Sequence, residues 1–170
     1  MRRTGTLVPD FEFRLLNGET WSSREQGEAT FTLLTIYRGM WCSHCKKQLQ
    51  ELDGLVDDFQ ERGVSIVAVS ADTEDRARQM ATDYDLEKLN IGYEAPIDAA
   101  REMGVFVSSR VKDIEMPFFC EPASLLIDQN SKLFAAWIAS CAFARTAPAD
   151  ILAYIDFIAG HSDRPPRGSA

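Results

Sequence analysis

No stretch of this 170-residue sequence approaches the roughly 20 consecutive apolar residues a membrane helix needs, so no membrane span is expected. The N-terminal MRRTGTLVPDF carries two arginines with no apolar run behind them, and so lacks the central region of a secretory signal. Both absences lead to the expectation of a cytoplasmic protein. Cations are scarce as well: 18 Lys and Arg stand against 26 Asp and Glu, a net charge of −8. Proteins that displace counterions from phosphates concentrate basic residues, which argues against nucleic acid as a partner. Histidine occurs twice and cysteine four times. A structural zinc site takes about four such ligands, commonly as two close pairs. Beyond Cys42 and Cys45 only Cys120, Cys141, His44 and His161 remain, scattered along the chain. No metal and no cofactor are therefore called for.

What is present is an ordinary globular balance, 45% hydrophobic and 26% charged, in a chain long enough to bury one core without disulfide or metal staples. Residues 1–160 are read as a single domain and 161–170, HSDRPPRGSA, as a disordered tail. Phe11, Phe13 and Leu15 alternate with charged residues and run into Asn17-Gly18, the pattern of an edge strand in a hairpin. FTLLTIY from Phe31 to Tyr37 and VSIVAVS from Val64 to Ser70 are uncharged and rich in β-branched residues, as expected of strands buried on both faces. Between them Leu49, Leu52, Val56 and Phe59 recur at helical spacing and Gly63 supplies a stop, predicting one amphipathic helix that opens at Cys42–Cys45. So short a strand-helix-strand unit must be parallel and right-handed.

A second helix is expected after Asp72 or Thr73, a strand near Leu89 to Tyr93, and a short helix ending at Gly104. The signals from Val105 to Phe119 are mixed and predict loop. SLLID and KLFAAWIAS flank a turn and predict a hairpin, and Thr146 is the expected cap of a last helix carrying Ile151, Leu152, Ile155 and Ile158. The whole reads as an α/β fold, a central mixed sheet flanked by helices with an N-terminal hairpin.

The stretch TIYRGMWCSHCK, from Thr35 to Lys46, carries the chemistry. It places Cys42 and Cys45 at the carboxyl end of a strand and the amino end of a helix, where open α/β sheets bind ligands. Unpaired N–H groups and the helix dipole there favour thiolate over thiol. Three positions along the first helical turn also bring the side chains close enough to close a disulfide. In a reducing compartment a close pair reads as redox-active rather than structural. Cys120 and Cys141 read as small buried hydrophobes.

WCSHC at such a junction, with Glu121-Pro122 just before a strand-turn-strand, resembles the thioredoxin fold. GTLVPDFEFRLLNGE, IYRGMWCSHCKKQLQEL, IVAVSAD and EPASLLIDQNSKL together resemble the peroxiredoxin-like branch of the alkyl hydroperoxide reductase and thiol-specific antioxidant (AhpC/TSA) family, from about Gly5 to Ile158. The resemblance implies a thioredoxin-like fold and a thiol oxidoreductase with catalytic Cys42 and Cys45. Its substrate would be a hydroperoxide or a protein disulfide, its electron donor a thioredoxin- or glutathione-like thiol, and its assembly a homodimer.

Two registers compete within that resemblance. The peroxiredoxin pattern puts the peroxide-attacking sulfur at Cys45, with Cys42 in place of the usual hydroxyl residue and Arg38 in place of the usual proline. The thioredoxin pattern makes Cys42 the nucleophile and Cys45 the resolver. Pro122 stands where typical peroxiredoxins hold an activating arginine, and, as in thioredoxins, a cis bond at Glu121-Pro122 would face the dithiol. Five residues are candidates for support: Arg38 as a replacement cation, Trp41 as a shield, His44 as a partial positive charge beside Cys42, Glu121 as a buried proton acceptor, and Pro122. The competing readings are a redox-inactive scaffold that keeps the fold for contacts and, more remotely, a zinc-binding module.

Overall fold

The computed structural model describes residues 3–161 and 163–170; residues 1, 2 and 162, the last within the expected tail, lie outside the described residues. The elements run β1 (Glu12–Leu15), β2 (Thr20–Ser22), β3 (Phe31–Ile36), α1 (Ser43–Gly54), α2 (Val56–Glu61), β4 (Val64–Val69), α3 (Glu74–Asp83), β5 (Asn90–Tyr93), α4 (Ile97–Glu102), β6 (Val107–Ser109), β7 (Phe118–Cys120), β8 (Ala123–Asp128), β9 (Leu133–Ile138) and α5 (Pro148–Ala159). Seven strands form one mixed sheet in the order β2-β1-β5-β4-β3-β8-β9, and β6 pairs with β7 alone.

Strand alternation divides the apolar residues between two layers. Leu33 and Tyr37 of the β3 segment, with Ile66 and Ala68 of β4, face α1, α2, α3 and α5. Leu34, Ile36, Val67 and Val69 face the opposite layer, which holds Phe11, Met103 and Cys120. Two-sided burial is why these strands are continuous in apolar character. As expected, β3 and β4 are parallel, and β8 then runs antiparallel to β3, setting Ile36 opposite Ala123. The segment after β3 and the segment before β8 therefore meet at one end of the sheet, and that end holds the cysteines. No helix of the described residues is long and apolar enough to cross a membrane.

Five expectations are corrected. The strand β1 is not the edge of its hairpin: it sits between β2 and β5, leaving β2 outermost. The helix after the cysteines is two, broken at Leu55, whose φ of −104° and ψ of 3° leave the helical region while Leu52, Val56 and Phe59 still face one core. Apolar spacing survives such a break, so periodicity alone does not reveal it. The segment 105–119 contains β6 and the start of β7, three residues each, joined by a turn in which the Glu115 carboxylate accepts the N–H groups of Val111 and Lys112 at 2.7 and 3.1 Å. Strands this short carry too little pattern to read. The last helix takes Ala147 as its cap residue with Pro148 following, not Thr146; proline's fixed φ and missing N–H suit that first turn. Finally, no peptide among the described residues is cis. The chain passes Pro122 extended, held by Glu121 N–H donating to Phe106 O and Ala139 N–H donating to Pro122 O.

Candidate active site

Between β3 and α1 the chain makes a tight passage, Arg38-Gly39-Met40-Trp41, before Cys42 caps the helix. Gly39 has φ +150°, and a Cβ there would lie 2.1 Å from the Trp41 ring. Glycine is thus required for the indole to fold back over its own loop. That ring meets Phe119 of β7 edge-on at 5.3 Å, while the Arg76 guanidinium lies over its face at 5.2 Å.

Cys42 and Cys45 are both buried, and Cys45 is fully so. The Cys45 sulfur accepts the backbone N–H of Arg38 at 3.4 Å and Nη1 of Arg145 at 3.4 Å. Nη2 of the same arginine lies 3.9 Å from the Cys42 sulfur. Arg145 is fixed in this place by its own bonds, since Nε and Nη2 donate to Ala142 O at 3.1 and 2.7 Å, and Nη1 donates to Gln48 Oε1 at 2.8 Å. Its fork of donors therefore ties the loop before α5 to both sulfurs and to α1.

The two sulfurs are driven apart in acidity. A hydrogen bond from the Cys45 thiol pulls the Cys42 pKa down to about 5, against the opposing effect of burial and with help from the Cys45 backbone N–H, Arg145 and Arg38. Burial pushes Cys45 strongly upward, and its bond to the Cys42 thiolate and that thiolate's charge add to the rise. Near neutral pH one proton is thus held on Cys45 and shared toward Cys42. Burial also raises the Cys120 thiol, to about 12, which leaves it unreactive. Cys141 is exposed, contrary to its reading as a buried hydrophobe.

Of the candidate support residues, Arg38 and Glu121 meet in a buried ion pair at 3.1 Å, and Glu121 also accepts from Ser108 Oγ at 2.7 Å. The Arg38 guanidinium lies over the Phe119 ring at 4.9 Å. Trp41 stands against the same ring. Pro122 lines a cavity of about 190 Å³ with Gln48, Trp137 and Arg145. His44 points elsewhere: it is exposed, its ring packs on Phe143 at 4.4 Å, and the hydrogen bonds to the sulfurs come from other residues. Arg38 does act on Cys42, but a second cation beside the dithiol, Arg145, is one that sequence reasoning missed. Its one sequence signal is a lone charge in the otherwise uncharged loop ASCAFARTAP. Among the described residues no group of three or more His, Cys, Asp or Glu side chains is arranged to hold a metal ion.

A pH experiment reads this asymmetry. Because the folded Cys42 pKa lies below that of an ordinary thiol, near 8.5, its thiolate stabilises the reduced fold above about pH 8.5, and that contribution is lost as pH falls through about 5. Alkylation of Cys42 is expected to follow a midpoint near pH 5. From there to about pH 8, two-electron reduction of a Cys42–Cys45 disulfide takes up one proton, so its potential should change by about 30 mV per pH unit instead of about 59. A single alkylation midpoint near 8.5 with the steeper slope would contradict the arrangement.

Known proteins resemble this chain in sequence and in fold. The chain is 34% identical over 88 residues to the thiol-disulfide oxidoreductase ResA of Oceanobacillus iheyensis, a match covering 49% of this chain and 45% of that protein. It is 27% identical over 131 residues to ResA of Bacillus thuringiensis subsp. konkukian, covering 76% and 66%. The chain thus spans between about half and two thirds of the lengths of these curated relatives. In fold it is similar to the peroxidoxin BcpB of Mycobacterium tuberculosis, with TM-score 0.75 and 23% identity over 93% of this chain and 99% of that one. A peroxiredoxin 6 of Arenicola marina gives TM-score 0.81 and 18% identity over 96% and 76%. The pattern of the AhpC/TSA family matches residues 4–136, most of the sheet and the whole cysteine junction, and the chain belongs to that family.

Proposed function

We propose that the protein is a thiol oxidoreductase in which Cys42 attacks and Cys45 resolves. The observation that carries this reading is the division of labour between the sulfurs: Cys42 is the acidic one at the helix start, and Cys45 is fully buried and holds the proton. With a disulfide substrate, the Cys42 thiolate bonds to one substrate sulfur and the other leaves as a thiolate. Cys45 then gives up its proton and attacks the Cys42 sulfur, forming the Cys42–Cys45 disulfide and releasing the second substrate thiolate. With a hydroperoxide, Cys42 takes the distal oxygen as a sulfenic acid and releases an alcohol. Cys45 condenses with it, expelling water. An external thiol reductant, either one thioredoxin-like dithiol or two glutathione-like monothiols, restores both thiols and is itself oxidised to a disulfide.

A protein disulfide is the favoured substrate. Pro122 occupies the place of the arginine expected beside a peroxide-attacking Cys45, and the ResA relatives are thiol-disulfide oxidoreductases. One observation favours the peroxidatic alternative: the Arg38 N–H and Arg145 converge on the Cys45 sulfur.

Peptide mapping after oxidation by one equivalent of a model disulfide tests the reading. The expected product has lost two hydrogens within the peptide that joins Cys42 to Cys45, while Cys120 and Cys141 remain alkylatable once the chain is unfolded. A bond from Cys45 to Cys120 or Cys141 would refute the pairing, and no oxidation of any cysteine would favour the scaffold.

A further inference from the structure

One peptide unit in the passage to Cys42 is bonded on both sides. Its carbonyl, that of Gly39, accepts the Cys42 N–H at 3.1 Å. Its N–H, that of Met40, donates to Asp72 Oδ2 at 2.7 Å. Asp72 lies just past the end of β4 and is wholly buried. Burial raises its pKa, while the Met40 N–H and Arg76 oppose that rise. The second carboxylate oxygen lies 3.1 Å from Arg76 Nε.

Arg76 does more than neutralise the acid. Its guanidinium covers the Trp41 ring, and Nη2 donates to Ile114 O at 2.6 Å, at the tip of the β6–β7 hairpin. The turn 39–42 is thereby gripped twice from outside. Asp72 fixes its backbone through Met40, and Arg76 fixes the Trp41 side chain. A buried carboxylate without the Met40 bond would be costly, and a buried N–H left without an acceptor costs about 1–3 kcal/mol. The pair therefore restricts this peptide to one orientation, the one that receives the Cys42 N–H.

We propose that Asp72 and Arg76 are positioning residues for the Cys42 sulfur, acting through the Gly39–Met40 peptide and the Trp41 ring. This rests on Cys42 being the attacking thiolate. Neither residue touches the sulfurs; their effect is to hold Cys42 where the Cys45 donors and Arg145 can reach it. Asn retains an acceptor for the Met40 N–H at position 72 and Ala does not, so the two substitutions separate a role in holding the backbone from a role of the charge.

The experiment measures Cys42 alkylation by iodoacetamide against pH, with thiolate absorbance as a second readout, in wild type, Asp72→Asn, Asp72→Ala and Arg76→Met. Circular dichroism establishes the fold of each. Asp72→Ala is expected to move the midpoint up by about one pH unit, which corresponds to the loss of one hydrogen bond, and so to slow alkylation about ninefold at pH 4, where the comparison is made, and only about twofold at pH 6. Asp72→Asn should stay within about threefold of wild type. Arg76→Met, at a partly exposed site, should fall between them and should expose the 110–117 tip to protease. Unchanged alkylation profiles in both Asp72→Ala and Arg76→Met would overturn the proposal. If Asp72→Ala does not fold, Arg76→Met decides alone. If wild-type Cys42 itself shows an ordinary thiol midpoint, it is the functional reading that fails, an outcome distinct from flat variants of a reactive wild type.

Discussion

Replacing Cys42 with serine is expected to reduce disulfide exchange by on the order of a thousandfold or more, because the attacking atom itself is lost. Replacing Cys45 with serine should have a different signature. The first attack remains possible, but the mixed disulfide that follows has no neighbour to resolve it and accumulates as a covalent adduct visible by mass. The pair of outcomes is informative because the two sulfurs share an environment yet differ in burial and proton affinity. Serine keeps a donor toward the Cys42 thiolate, whereas Cys45→Ala removes the donor that most lowers the Cys42 pKa, so the first step of the alanine variant should slow at acidic pH and recover as pH rises. Cys42→Ser protein that rapidly consumes one equivalent of peroxide and gathers sulfenic acid on Cys45 would reverse the assignment and make the protein a peroxidase.

Glu121→Ala is expected to destabilise the reduced protein by about 3 kcal/mol, a large share of the roughly 5–15 kcal/mol of a typical domain. The substitution takes from the Arg38 guanidinium, packed on Phe119, its ion-pair partner and takes the acceptor from Ser108. The loss stays at the low end for a broken buried pair because the Arg38 side chain keeps 19% exposure and water can reach it. Glu121→Gln leaves an acceptor for Ser108 and should cost about half as much. Urea unfolding at constant slope measures both. A loss below about 1 kcal/mol for the alanine variant would show that the pair behaves like a surface contact.

The parts of this fold that were legible in the sequence are those in which one residue pattern serves one environment. β3 and β4 face cores on both sides and therefore read as uninterrupted apolar runs, and the parallel unit followed from their short connection. The junction position of Cys42 and Cys45 came with it. What stayed hidden depends on partners far along the chain. Beyond its being a lone charge in an uncharged loop, nothing local distinguishes Arg145 from a surface arginine, because its role is fixed by Ala142, Gln48 and the sulfurs together. His44 drew attention by adjacency, yet a helix turns its side chain about 100° from that of Cys45, toward Phe143. The break at Leu55 is invisible to apolar spacing, and the trans bond at Pro122 is the ordinary state of an X-Pro bond.

Arg145 reaches the Cys45 sulfur across 100 positions of sequence and the Cys42 sulfur across 103. Met40 meets Asp72 across 32. During synthesis the dithiol is therefore made before Asp72 and long before Arg145, and chains generally lack such distant contacts until their partners have been made. In a partly made or unfolded chain both cysteines should behave as ordinary thiols, with pKa near 8.5 and little thiolate at neutral pH. Reactivity and completion of the fold then arrive together. A chain stopped short of Arg145 would carry the same CxxC and only part of its chemistry.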